Sequence, residues 1–405
     1  MKSSDFIELE KQYGALNYHP LPVVLSKGKG VRVWDVEGTD YYDFLSAYSA
    51  VNQGHLHDRI ISALQNQLTR LTLTSRAFHN DQLGPFEKMI CEFFNYQRVL
   101  MMNTGVEAGE TAVKLARRWA YQVKGVPENE ARIVFANGNF WGRTLAAISS
   151  SDDPSSFHGF GPYMPGFDRV QYNSIEALEP FLKDPRTAAF MVEPIQGEAG
   201  VIVPDDGYLK QIRALCDHYR VLWIADEIQT GLCRTGKMLA CDYEAVKPDL
   251  LVLGKALSGG TLPVSAVLAS DEIMLTIKPG EHGSTYGGNP LACAVSRAAL
   301  AVLIDEQLDQ NAMNRGLQLR DGLSLLKKQY SFIKEVRGKG LLNAIEIEET
   351  HRVKAWDICM SLAKHGILAK PTHGHIIRLA PPLVITQQEM DDCLNRMEHS
   401  LKIYA

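Results

Sequence analysis

Apolar positions along this chain fall into two rhythms. Between about residues 55 and 310, short unbroken apolar runs alternate with longer stretches in which apolar residues recur every three or four positions. The runs are Val99–Met102, Ile133–Ala136, Ala188–Val192, Val221–Ala225, Leu250–Leu253 and Val264–Ala269. Runs this short, apolar on both faces and bounded by polar residues, predict buried strands of a mostly parallel sheet. Their alternation with helical periods predicts an α/β domain with helices covering the sheet. Residues 1–45 read as irregular and then hairpin-like: Val31–Val36 alternates, Glu37-Gly38 turns, and Tyr41–Leu45 returns. Beyond the large domain the rhythm changes. A long helical stretch near 291–330 leads to Lys334–Arg337 and Leu341–Ile347, then a helix near 353–365, then Ile376–Leu379. That is an α+β pattern. We therefore expect an N-terminal segment, 1–45, packed with a small C-terminal domain, 315–405, and a large domain over 46–314.

Composition narrows the function classes. The chain has 405 residues and a formal net charge of −5, so no basic footprint argues for nucleic acid. Its seven cysteines include no CxxC pair and read as reduced thiols. The opening Met1–Glu10 lacks an apolar signal core and is too acidic for a transit peptide, so the cytoplasm is the expected compartment. No apolar stretch approaches the roughly 18 residues that would span a bilayer, so no membrane partner is expected.

The strand ends carry the candidate chemistry. Val221–Ala225 ends in Asp226-Glu227, and Leu250–Leu253 ends in Gly254-Lys255. Open α/β sheets place chemistry at the carboxyl ends of their strands, so an acid and a lysine are presented at one rim. This pair suits pyridoxal phosphate: the lysine carries the cofactor as a Schiff base, and the acid holds a proton on the pyridine nitrogen. Asn103–Thr111 follows the Val99 strand and opens a helix with an apolar stripe through Ala108, Ala112, Leu115, Ala116 and Trp119. A glycine turn entering a helix points free N–H groups at an anion, which would make a phosphate cup; a plain capped turn reads the same way. His282–Pro290 is a second hydroxyl- and glycine-rich turn, either a further set of phosphate donors, Ser284 and Thr285 among them, or a loop. Glu193–Glu198 puts two carboxylates at another strand end, as acid/base groups, as an arginine partner or as a solvated loop. His55-x-His57 and His373-x-His375 have no acidic or cysteine partner at zinc spacing, and no metal is expected. Gly231–Met238 nearly matches a nucleoside triphosphate loop. However, Met238 stands where magnesium needs a hydroxyl, and the segment begins five residues past the strand end. A nucleotide-binding protein using Gly231–Met238 is the reading from another class.

Taken together these segments resemble the class III, or omega, aminotransferases of the fold type I pyridoxal phosphate family. The resemblance runs from Tyr13–Tyr18 to Ile377–Pro382. Its most specific pieces are Ser49–His55, Asn103–Thr111, Asn139–Thr144, Glu193–Gly200, Asp226–Gly231 and Gly283–Pro290. It implies pyridoxal 5'-phosphate, with Lys255 as the attaching lysine and proton shuttle and Asp226 on the ring nitrogen. It implies Gly105, Val106 and Ser284 at the phosphate. Thr285 would reach that phosphate from the neighbouring subunit of a homodimer. Phe140 would stack on the ring and Gln229 would meet the ring hydroxyl oxygen.

On the substrate side the resemblance implies transfer of the terminal amine of L-ornithine to 2-oxoglutarate. The products would be glutamate and a semialdehyde that cyclises, a step in proline and arginine metabolism. Arg143 would bind the distant carboxylate, Tyr18 the α-amine, with Tyr48 lining the same pocket. Arg378 would bind the carboxylate of 2-oxoglutarate beside the cofactor, and Glu198 would mask Arg378 while ornithine is bound. The alternatives within the family are N-acetylornithine and 4-aminobutyrate as donors. This sequence departs from the common pattern at Leu16, at Cys233, where glycine is usual, and at Thr261-Leu262.

Overall fold

The computed structural model describes residues 1–404. At its centre is a seven-stranded sheet. In spatial order its strands are Arg98–Met102, Ser265–Ala269, Leu250–Leu253, Leu222–Asp226, Thr187–Val192, Arg132–Ala136 and Phe167–Val170. Ser265–Ala269 pairs antiparallel with both of its neighbours, and the remaining ladders are parallel. Three inner strands, Thr187–Val192, Leu222–Asp226 and Leu250–Leu253, are buried at every position. This is why they read as unbroken apolar runs: both faces are covered. The helix Gly105–Trp119 packs Ala108, Ala112, Leu115 and Ala116 onto one face. The other face meets a larger core that includes Phe190, Trp223 and Leu251.

Two smaller sheets complete the fold. Ile333–Lys339, Leu342–Ile347, Ile376–Leu379 and Lys370–Thr372 form an antiparallel sheet in that order. Leu25–Lys29, Arg32–Asp35 and Asp40–Asp43 form a meander extended in parallel by Ile367–Leu368. The N-terminal hairpin is thus hydrogen-bonded to the C-terminal region, with Tyr42 opposite Ile367.

Two expectations change. Residues 1–45 are not irregular at the start: Ser3–Tyr13 is a helix. It buries none of its residues, so no core contact fixes its place in the fold. The stretch near 291–330 is two helices, Pro290–Asp305 and Leu308–Gln329, and the chain turns at Gln307 with φ +50°.

The segment 231–238 is a buried seam between elements distant in sequence. Arg234 is fully buried. Its guanidinium donates to Asn52 Oδ1 at 2.7 and 3.1 Å, to the Leu341 carbonyl at 2.9 Å and to the Pro381 carbonyl at 2.7 Å. Burial pulls the Arg234 pKa down to about 9. Cys233 has φ +71°, which explains in backbone terms why glycine is usual there: the left-handed region costs any residue with a Cβ.

Candidate active site

The carboxyl ends of the parallel strands converge on a cavity of about 270 Å³ lined by Gly105, Val106, Phe140, Glu193, Asp226, Ile228, Gln229 and Lys255. Asp226 ends its strand and is 4 % exposed. One N–H, that of Ile228, donates to it at 3.1 Å. Burial pushes its pKa up to about 6, against the Ile228 bond and the Lys255 charge. Lys255 follows the next strand with φ +44°. Burial holds its ammonium below the ordinary lysine range, while the charges of Glu198, Asp226 and Glu193 pull the other way. A lysine in the left-handed region and a buried acid with one donor are both costly arrangements, of the kind found at working sites.

The turn after Arg98–Met102 is built to receive an anion. Thr104 caps the helix Gly105–Trp119 and forms a reciprocal box with Glu107: the Glu107 N–H donates to Thr104 Oγ1, and the Thr104 N–H to the Glu107 carboxylate. The first helical N–H groups, those of Gly105 and Val106, have no carbonyl of their own helix to meet. Ser284 closes the turn from the side, accepting from Asn103 Nδ2 at 2.8 Å. Thr285 beside it is exposed on this chain. Glycines keep the cup tight: a Cβ on Gly142 would lie 2.4 Å from Val106 Cγ2, and one on Gly105 would lie 3.0 Å from Ile228 Cδ1.

A second set of groups lies on the substrate side. Glu198 Oε1 accepts from Arg378 at 2.7 Å and from Gln229 Nε2 at 3.2 Å. Burial pushes the Glu198 carboxyl up, but the Arg378 charge and hydrogen bond, with Lys255, bring it below its ordinary value. Arg378 is 5 % exposed, and its guanidinium sits 4.6 Å from the Tyr48 ring centroid. Tyr48 belongs to a run of non-glycine residues, Ser46–Ser49, all with left-handed φ between +45° and +75°. Asp43 Oδ1 accepts the Leu45 and Ser46 N–H groups and holds that strained turn in place. Tyr18 is 79 % exposed. Arg143 is exposed at the mouth, 5.4 Å from the Phe140 ring and bonded to Ser156 Oγ at 2.9 Å. Arg143, Phe140 and Glu198 line a wider cavity of about 750 Å³ that opens to solvent.

The structure thus brings Lys255, Asp226, Gly105, Val106, Phe140 and Gln229 to one cavity and Phe140, Arg143 and Glu198 to the adjoining one. Arg378 and Tyr48 stand behind Glu198, while Tyr18 and Thr285 point to solvent from this chain. Sequence reasoning missed three groups. Ile228 walls the cofactor cavity. His373 Nε2 meets the Glu198 carbonyl at 3.0 Å, a contact hidden in a pair that read as loop histidines. Glu193, left without a partner, accepts the Phe140 N–H at 3.0 Å and the Gly197 N–H at 3.2 Å. Burial and then the Asp226 charge push its pKa up to about 8. His55 and His57 pair with Asp43 and Glu306 at 2.8 and 2.9 Å. No metal-holding cluster occurs among the described residues. Gly231–Met238 is largely buried, and its Cys233, Arg234 and Gly236 N–H groups are spent on Met238, Gly231 and Cys233 carbonyls, so it cannot cradle a phosphate.

A family model described as Aminotransferase class-III matches residues 13–401, and the chain belongs to that family. Among its relatives is the mitochondrial ornithine aminotransferase of Rattus norvegicus, 63% identical over 96% of this chain and 88% of its own length. A Toxoplasma gondii ornithine aminotransferase, described with partial occupancy of PLP at its active site, is 51% identical with a TM-score of 0.97, covering 99% of this chain and 94% of that one. An acetylornithine aminotransferase from Elizabethkingia anophelis is 54% identical with a TM-score of 0.91, over 100% of both chains.

The cofactor of this family is pyridoxal 5'-phosphate, and the residues present fit it. A buried Asp226 with one donor calls for a protonated ring nitrogen, the open N–H groups of Gly105 and Val106 call for a phosphate, and Lys255 opens into the same cavity.

Proposed function

We propose that this enzyme transfers the terminal amine of L-ornithine to 2-oxoglutarate. The products are glutamate and glutamate 5-semialdehyde, which closes to pyrroline-5-carboxylate. The observation that carries this reading is the Glu198–Arg378 pair at 2.7 Å. An arginine placed to take a carboxylate beside the cofactor is covered, which favours a donor that brings no carboxylate there. The names of the rat and Toxoplasma relatives support it.

In this reading Lys255 attaches the cofactor and its Nζ moves the proton to and from the substrate carbon that bears the amine. Asp226 keeps the ring nitrogen protonated. Gly105, Val106 and Ser284 hold the phosphate, Phe140 covers the ring, and Gln229 reaches the ring hydroxyl while steadying Glu198. Bound pyridoxal phosphate supplies the electron sink for the pair left behind when that carbon loses its proton. Arg143, with no carboxylate partner among the described residues and a planar fork, takes the distant carboxylate of ornithine. Tyr18 and Tyr48 receive the α-amine. Arg378 takes the carboxylate of 2-oxoglutarate once Glu198 has moved aside.

The enzyme works as a homodimer in this reading, with Thr285 completing the partner's phosphate site. Exposed Phe78 (75 %) and Tyr286 (57 %) support an apolar face covered by a second copy. The N-terminal segment, 1–45, moves with a small domain beginning near 315. Seven unpaired cysteines support a reducing compartment, here the cytoplasm; the rat relative is named mitochondrial, and cell fractionation separates the two.

A donor panel tests the substrate. Pyrroline formation from ornithine should far exceed turnover of N-acetylornithine and 4-aminobutyrate. Preference for N-acetylornithine would shift the reading to the activity named for the Elizabethkingia relative. Lys255→Ala should remove both turnover and the covalent, hydride-reducible yellow colour.

A further inference from the structure

The catalytic residues follow the carboxyl ends of the parallel strands. At the opposite edge, where Arg132–Ala136, Thr187–Val192 and Leu222–Asp226 begin, lies a separate recess of about 620 Å³. Lys124, Lys183, Arg186, His218 and Arg220 line it, against one lining carboxylate, Glu130. Two of these cations are already matched: Lys183 with Glu179 at 3.2 Å and Arg186 with Asp184 at 2.7 Å. Lys124 and Arg220 are in no ion pair among the described residues. The Lys124 ammonium is half-buried and anchored by the Thr187 carbonyl at 2.6 Å, with the Tyr219 carbonyl at 3.5 Å. Two carbonyls solvate the ammonium but bring no formal charge. Burial and then the facing Arg220 push the Lys124 pKa down to about 8. The Asp184 charge offsets this in part, but that carboxylate is already paired with Arg186; two like charges thus share the recess, an arrangement that an anion would relieve.

We propose that the recess between Lys124 and Arg220 is an anion site for a small multivalent oxyanion, a phosphate, sulfate or di- or tricarboxylate, on the edge of the sheet away from catalysis. The ammonium supplies a fixed point charge, and the exposed guanidinium supplies a mobile planar fork that can close over the oxyanion. A divalent anion pairs both cations at once.

Calorimetric titration of the pyridoxal phosphate-saturated enzyme with sodium sulfate, at ionic strength held constant with chloride, tests this. Sulfate keeps its double charge across the working range, and the resident cofactor fills the catalytic anion cup. Citrate in a second arm shows whether polycarboxylates share the site. One saturable site per chain is expected. Lys124→Gln should weaken it by at least about ten-fold, the scale of one charge-assisted hydrogen bond, and Lys124→Arg should retain it. Arg220→Asn should weaken it similarly, because asparagine tolerates the φ of +51° at that position. Transaminase rates in chloride should be unchanged in all three. Absence of saturable heat with both anions overturns the proposal. So does wild-type affinity in the Lys124→Gln, Arg220→Asn double variant, which would put the anion elsewhere on the protein.

Discussion

Arg378 and Glu198 are paired at 2.7 Å, with Gln229 donating to the same Glu198 oxygen. Arg378 is nearly fully buried, so without Glu198 it would be an uncompensated cation against the Tyr48 ring. A substrate carboxylate can take the guanidinium only by displacing Glu198. In the proposed reaction the pair should therefore raise the barrier for α-amino acids and leave terminal amines untouched. Glu198→Ala should speed the half-reaction with glutamate and erode the preference for ornithine by about 5–150-fold, the span of a coupling of about 1–3 kcal/mol. Single-turnover kinetics of each half-reaction read this directly; an unchanged ratio would make Glu198 a structural acid.

Tyr18 is assigned to the α-amine of the donor, although on this chain it is 79 % exposed. In the proposed pose it shares the α-amine with Tyr48, whose ring lies against Arg378. Tyr18→Phe should therefore cost ornithine about five-fold in kcat/KM, roughly one hydrogen bond, and leave 4-aminobutyrate, which has no α-amine, unaffected. A steady-state donor comparison decides; an equal loss on both donors would mean that Tyr18 shapes the mouth without recognising the amine.

Much of this site was legible because strand ends are. Lys255 and Asp226 sit where apolar runs stop, and an open α/β sheet places such ends at one rim. The turn Asn103–Thr111 carries its own capping box, which is a local signal. The groups that were not legible are tertiary. Glu193 reads as a loop acid until Phe140 and Gly197 are brought to it from either side. His373 touches the Glu198 backbone across 175 residues. The roles of Tyr18, Arg143 and Arg378 came through family resemblance, because no periodicity marks them. The helix Ser3–Tyr13 was invisible for the opposite reason: it buries nothing, so its sequence was never patterned by a core.

Arg234 ties Asn52, Leu341 and Pro381 together from a fully buried position. Arg234→Leu would leave the Asn52 side-chain oxygen and two carbonyls without donors. We expect a loss of about 3–5 kcal/mol, from several unmet acceptors at about 1–3 kcal/mol each. Arg234→Lys should recover only part, since one ammonium cannot reproduce the planar fork. Urea midpoints of the three proteins test this, and a wild-type midpoint for Arg234→Leu would show that the seam is held by packing alone.

Glu193 accepts backbone N–H groups from the turn carrying Phe140 and the turn carrying Glu198, and its pKa is pushed up to about 8 by burial and by Asp226. The ordinary value is 4.5. Between those values the folded protein holds a proton that the unfolded chain releases. This contribution to stability is fully present below pH 4.5 and is lost as pH rises through about 8. The cofactor-free protein should therefore lose stability as pH rises from about 5 to about 8, with Asp226, raised to about 6, adding to the lower part of that slope. Glu193→Gln cannot titrate, so it should flatten this slope. Below about pH 4.5, where the wild-type side chain is a neutral acid, it should also lower stability by about 1–3 kcal/mol, because an amide offers one oxygen where two N–H groups converge; this deficit should shrink as pH rises and wild type loses its own contribution. Its NH2 must then face either Phe140 N–H or Gly197 N–H. The slope and the offset are separable in one experiment: urea midpoints of both cofactor-free proteins at several pH values. An offset with an unchanged slope would mean that Glu193 is ionised throughout and acts only as a staple; a flattened slope with no offset would mean that the two N–H groups find other acceptors.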